Sequence, residues 1–356
     1  MFGRFADALV LEIRLRADEI TDEVNTLYIG GGTPSVLPLY VYERILEELK
    51  LLGHGGPFDE FTVEVNPEDI VDKGPAYVED LLKLGVNRVS MGVQSFDDGI
   101  LKFMNRRHDA FTARKAYSIL EDAGVGNISI DLIFGLPQLS DSLWQETLDK
   151  ALSISSSGNI PQHISSYQLS VEPGSMLARL AERGKWQEAS EELCEHQYSM
   201  LCKALQKAGY NHYEISNFAL PGHEARHNSA YWRHVPYVGL GPGAHSFVAD
   251  VESGRRQWNE PDLKGYLEDP TGHVGKEELT REQLVLEKIM LALRTSEGIS
   301  ESFLREHCDP HELDRALKSG NLVRISPVSE KDIMSGSLRI PEDCFFISDS
   351  IIAGLV

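Results

Sequence analysis

The sequence predicts an α/β protein: a parallel (β/α) barrel followed by a smaller, mainly helical domain. Three observations carry this prediction. Apolar strands at residues 26–30, 61–68, 88–96, 128–137 and 163–170 each run into glycine or polar residues. Helical patterns stand between them, and strand–helix alternation at this spacing means parallel strands joined by crossovers. The polar residues lie at the same end of each strand; a barrel gathers such ends on one face, whereas an open doubly wound sheet gathers only those at its switch point.

Taken in order, Phe5, Leu9 and Ile13 recur at helical spacing, so residues 5–19 open the chain as an amphipathic helix before the strand at 26–30. Helices follow at 40–52, stopped by Gly53, and at 76–84, stopped by Gly85. Asp109 is placed to cap a helix over 109–122, and Ser140 or Asp141 to open one reaching 154. A long helix is expected over 186–209, then an irregular polar and aromatic stretch to about residue 275. Helices near 280–295, 300–308 and 310–319, short apolar runs at 321–325 and 338–340, and a closing helix suggest a winged-helix-like accessory domain. The expected domains are therefore 1–210, 211–277 as a connecting region, and 278–356.

With 356 residues and 42% hydrophobic content the chain can bury a large core. A net charge of -21, without a long basic run, argues against a nucleic-acid partner and for a small molecule or another protein. No apolar run approaches the roughly 20 residues of a membrane helix, and residues 1–7 lack a signal-peptide layout, so a cytoplasmic location is expected. Cys194, Cys202, Cys308 and Cys344 match no metal spacing and read as structural thiols of a reducing compartment.

The strand ends carry the candidate chemistry. Gly30-Gly31-Gly32-Thr33-Pro34 removes Cβ atoms where a strand stops, so a ligand can reach the backbone. A plain tight turn or a phosphate loop is an alternative, although no Lys or Arg falls within the turn. Glu64 points opposite to Val63 and Val65, toward solvent or a barrel interior. Asp131 interrupts a run apolar on both faces, where a carboxylate is costly unless paired or ligand-bound. Gln94 can offer donor and acceptor to a pair of sugar hydroxyls, or cap the following loop. Arg106 can clamp a carboxylate bidentately, or stand solvated. A backbone cradle, two carboxylates, an amide and a guanidinium suit a zwitterionic amino acid bearing a ribose.

The Gly-Gly-Gly-Thr-Pro turn, Glu64 in Glu-Val-Asn-Pro, Val93-Gln94-Ser95-Phe96, Asn105-Arg106 and residues 130–137, Ile-Asp-Leu-Ile-Phe-Gly-Leu-Pro, occur in this order through nearly the whole chain. In them the chain resembles the radical S-adenosylmethionine enzymes related to oxygen-independent coproporphyrinogen III oxidase. The resemblance implies a partial radical-SAM barrel, here without its first strand, and S-adenosylmethionine contacts at Gly31, Gly32, Thr33, Glu64, Gln94, Arg106 and Asp131. Residues 213–218, His227-Asn228-Ser229-Ala230-Tyr231-Trp232 and 239–246 resemble the haem chaperone branch. That implies a haem or related tetrapyrrole ligand at His227, Tyr231 and Trp232, and a haem-accepting partner protein. His227 beside an aromatic pair could supply an axial imidazole and a stacking surface, with His245 a second candidate; the alternative is a loop cap beside core aromatics. The oxidase activity itself is the runner-up.

The family's Cys-x-x-x-Cys-x-x-Cys, which holds a [4Fe–4S] cluster, occurs nowhere in the chain. The expectation is a truncated form, opening at the helix that follows the cluster loop. No residue here is assigned as a cluster ligand or as catalytic, and His227 is the first candidate iron ligand, ahead of His245.

Overall fold

The computed structural model describes residues 1–20, 23–325 and 336–356. Seven strands form one sheet: β1 Thr26–Ile29, β2 Glu60–Val65, β3 Arg88–Gln94, β4 Ile128–Phe134, β5 His163–Gln168, β6 Asn211–Glu214 and β7 Asn217–Ala219, in the order β1-β2-β3-β4-β5-β7-β6. β2 to β5 pair in parallel, while β7 joins β5 and β6 antiparallel, and the sheet curls into a half-barrel. The helices between and after the strands are α1 Phe2–Leu15, α2 Leu39–Leu51, α3 Pro67–Lys83, α4 Asp98–Phe103, α5 Ala110–Asp122, α6 Asp141–Leu152, α7 Met176–Glu182 and α8 Glu191–Lys207. Asp109 and Ser140 cap α5 and α6 through the backbone amides of Thr112 and Leu143.

By contact the chain forms two compact units. One comprises Ile29–Ser35 and Thr62–Ala225; the other Met1–Tyr28, Val36–Phe61 and Arg226–Val356.

In the first unit strand alternation decides which face is which. Val63, Val65, Val89, Met91, Ile130 and Leu132 are buried on the outer face, where helices cover the sheet. The opposite face is polar. In register, Glu64 lies beside Ser90, Ser90 beside Ser129 and Ser129 beside His163; one step further, Asp131 lies beside Ser165, and Ser165 beside Asn217. Such a row in a parallel sheet marks the inner wall of a barrel as a binding surface, since polar groups are costly there without partners.

In the second unit, Ala6 and Leu9 of α1 and Val41 of α2 pack together with Tyr266. The stretch expected to be irregular up to 275 is ordered: α9 Arg226–Trp232, then an antiparallel sheet of β8 His245–Ala249, β9 Ser253–Asn259 and β10 Val274–Thr280, with α10 Leu263–Glu268 between the last two strands. Its strands were hidden because consecutive charged residues blur the alternation along β9 and β10; Arg255, Arg256, Lys276, Glu277 and Glu278 all belong to them. The expected helix over 186–209 starts only at Glu191, where Ser190 accepts from Leu193 N and sets the N-terminus. The C-terminal segment holds α11 Arg281–Ala292, α12 Glu301–His307, α13 Pro310–Ser319 and α14 Ser348–Ala353, with a three-stranded sheet of β11 Ile299–Ser300, β12 Val323–Arg324 and β13 Ser337–Arg339.

Candidate functional site

The first unit carries the strand-end set. At Gly31 and Gly32 the backbone turns through φ of 75° and 49°, a region open to glycine at little cost, and a Cβ at either would meet no atom within 4 Å. The turn is therefore fixed by conformation and presents open backbone. Gly31 N donates to Glu64 Oε2 at 2.9 Å, so the β2 carboxylate already reaches the turn. Thr33 is partly buried beside it.

A buried brace stands behind the turn. Ser35 Oγ donates to Asp69 Oδ2 at 2.6 Å and accepts from Asn66 N at 3.2 Å. Arg107 bridges Asp69 and Glu68, and His108 joins Glu68 Oε2 to the carbonyl of Val93. The first turn of α3 thus ties the glycine turn to the end of β3. Sequence reasoning missed Ser35, Asp69 and His108; the signal was Pro67-Glu68-Asp69, a helix start with two carboxylates at its positive end.

Gln94 ends β3 at a bulge with φ of 67°, an uncommon conformation for a side-chain-bearing residue. Its amide lies over Gly92, where a Cβ would come within 2.8 Å of Nε2. Asp131 is partly buried and accepts from Ser90 Oγ at 3.2 Å. Burial pushes its carboxyl up to about 6; hydrogen bonding to Ser165 and the Arg88 charge oppose this, and the Glu64 charge adds to it. The guanidinium of Arg106 is half-buried, and desolvation lowers its pKa against the pull of Glu68 and Asp131. Among the described residues it makes no ion pair, so its fork is open to a ligand carboxylate.

Because the folded pKa of Asp131 lies above the ordinary carboxylate value of about 4, the native state binds more protons across that window, and Asp131's contribution to stability is lost as pH rises from about 4 to about 6. Carboxyl NMR titration is expected to find a midpoint near 6, and Asp131→Asn to remove this part of the pH dependence of melting. A midpoint near 4 would overturn the desolvated placement.

The second unit holds the other set. Glu60 accepts from Arg226 N at 2.7 Å and His227 N at 3.1 Å, capping α9. His227 stacks on Tyr28 at 5.1 Å and meets Tyr231 edge-on at 5.0 Å. Its Nδ1 lies 2.8 Å from Thr26 Oγ1 and its Nε2 2.8 Å from the Tyr231 hydroxyl. Burial and the neighbouring Tyr237 push that hydroxyl up to about 12, so it stays protonated. Trp232 Nε1 is enclosed without a partner. His245 is exposed and stacks on Trp258 at 6.1 Å. Thr26, Tyr28 and Glu60 lie far from 227 in sequence, so no local pattern could have shown them.

The four cysteines are free of disulfides, and among the described residues no three of His, Cys, Asp and Glu are grouped to hold a metal. The residues present do not fit a [4Fe–4S] cluster. Anaerobic reconstitution with iron and sulfide is expected to leave the chain without one; stoichiometric four-iron incorporation would contradict this. Among the described residues no helix is long and apolar enough to cross a membrane.

A family model for the Radical SAM superfamily matches residues 2–151. The chain is 35% identical over 280 residues to the haem chaperone HemW of Lactococcus lactis, covering 78% of this chain and 71% of that protein. It is 33% identical to HemW of Synechocystis, covering 84% and 71%. Coproporphyrinogen III oxidase HemN from Escherichia coli shares the fold with a TM-score of 0.78 over 99% of this chain and 82% of that one, at 21% identity. The half-barrel and the extent of these matches together place the chain in the radical SAM superfamily, as a member of the HemW family.

Proposed function

We propose that the chain binds haem and delivers it to an accepting protein, as the name of its HemW relatives implies, from a cytoplasmic location. S-adenosylmethionine and a [4Fe–4S] cluster belong to the superfamily. For the first of these the rim residues suit the ligand. The Gly31, Gly32 and Thr33 backbone would take the polar groups of the amino acid, Glu64 and Asp131 would face its positive charges, Gln94 its ribose and Arg106 its carboxylate. When bound, this group supplies a sulfonium centre; the chain's own residues bind and orient it.

The observation that carries the haem reading is the pairing at His227. With Tyr231 O–H donating to Nε2, Nδ1 carries the proton and Thr26 Oγ1 accepts it. That tautomer keeps the lone pair on Nε2, where the Tyr231 hydroxyl occupies it; haem iron would take the same atom by displacing that hydroxyl, with Thr26 holding the ring through Nδ1. Tyr231 and Trp232 would supply the apolar surface against the macrocycle. Haemin titration of the purified chain, followed at the Soret band, tests the proposal; the absence of saturable binding would reject it.

A further inference from the structure

Arg88 opens β3 with its side chain only 3% exposed. It shares strand parity with Ser90 and lies beside Thr62, its register partner on β2, so it belongs to the polar inner face. Among the described residues no hydrogen bond or ion pair reaches its guanidinium, and Nε is enclosed without an acceptor. The other deeply buried arginine among the described residues, Arg16, is met by Glu12, Glu19, Ser246 and the carbonyl of Gly239.

A second orphan stands beside it. Asn127 Oδ1 is also enclosed without a donor, and the Asn127 carbonyl accepts from Val89 N at 3.0 Å, which sets this residue against the start of β3. Asn127 has the parity of Ser129 and Asp131. The charge of Arg88 acts on both Asp131 and His163 without an ion pair to either. A buried cation without a direct ion pair is unfavourable even with the Asp131 charge acting on it from further off, and a bridging water would satisfy Nε without supplying a direct counter-charge.

We propose that the inner face around Arg88 is a carboxylate-binding site, distinct from the strand-end rim, with Arg88 as its anchor. A carboxylate matches the planar guanidinium fork with two oxygens, and the Asn127 amide, turned by 180°, presents Nδ2 to the same anion. The carboxylate belongs either to a free organic acid or to the side chain of a tetrapyrrole, and both carry the same group.

The test is a thermal-shift and calorimetric titration of the full chain with sodium propionate, against sodium chloride at equal ionic strength. Wild type is expected to show a saturable rise in melting temperature that chloride does not give. Arg88→Met is expected to lose that response while melting no lower than wild type without propionate, since it removes an unpartnered buried charge. Arg88→Lys, which keeps the charge and loses the fork, is expected to bind propionate about tenfold more weakly. Should Arg88→Met not fold, the lysine variant and carbon-13 propionate NMR on wild type still decide. No saturable response in wild type, or an undiminished one in Arg88→Met or Arg88→Lys, overturns the proposal. Haemin bound more tightly than its dimethyl ester by wild type but equally by Arg88→Met would identify the tetrapyrrole as the source; equal binding by wild type would identify a free acid. The propionate arm needs no haem, so failure of haem binding leaves it decisive.

Discussion

Replacing Glu12 by alanine is expected to lower the melting temperature by on the order of 5–10 °C, the largest stability effect in the second unit. Glu12 is fully buried in α1 and accepts from Arg16 at 3.0 Å, Gly241 N at 2.8 Å, Asn259 Nδ2 at 2.8 Å and Tyr266 O–H at 2.7 Å. Arg16 donates onward to the Gly239 carbonyl at 2.7 Å and to Ser246 Oγ at 2.9 Å. Removing one partner of a buried ion pair costs about 3–5 kcal/mol because the other charge is left uncompensated, and each kcal/mol shifts the midpoint by roughly 2–4 °C or somewhat less in a chain of this size. Gly239 permits this packing: a Cβ there would stand 2.0 Å from the carbonyl oxygen of His245. Glu12→Gln keeps the acceptor for Asn259 and Gly241 and is expected to lose less. Equal melting of Glu12→Ala and wild type would show the pair to be dispensable.

His227→Ala is expected to change the Soret band of bound haemin and weaken binding by at least about tenfold, whereas Thr26→Val should keep the spectrum and weaken binding by roughly 10–100-fold through loss of the Nδ1 partner. His245→Ala is expected to leave both unchanged, because the His245 ring lies against Trp258. Because both nitrogens of His227 are hydrogen-bonded, to Thr26 and Tyr231, a purely structural role predicts a different result: His227→Ala would melt lower, with an unaltered spectrum. That outcome would reject the ligand assignment.

Much of this protein was legible in its sequence. Strand–helix alternation determined the parallel, barrel-type sheet of β2 to β5, since each apolar run between turn residues can bury its faces only in a covered sheet. The cap at Asp109 was equally local, as was that at Ser140 once the choice between Ser140 and Asp141 was made, each set by a side-chain oxygen three residues from the amide it accepts. Order and spacing of the motifs led to the superfamily and the haem chaperone family. The Cβ-free turn at Gly30–Gly32 was legible as well, and its backbone takes positive φ at Gly31 and Gly32.

Other features were decided only by tertiary structure. Whether Glu64 faced solvent or the barrel wall depended on which face the helices cover, and a period of two cannot say. The strands of the 245–280 sheet were missed because their partners, not their own pattern, hold them. His227 showed a ring and two neighbouring aromatics in sequence, while Thr26, Tyr28 and Glu60, which set its tautomer and the helix beneath it, lie some 170–200 positions away. The same holds for Glu12 and Gly241, 229 residues apart, and for Arg88, whose burial and lack of a partner are properties of its surroundings. Local sequence carries conformation, because conformation is steric and near-neighbour; it does not carry desolvation or charge pairing, which depend on what the rest of the chain brings within a few ångströms.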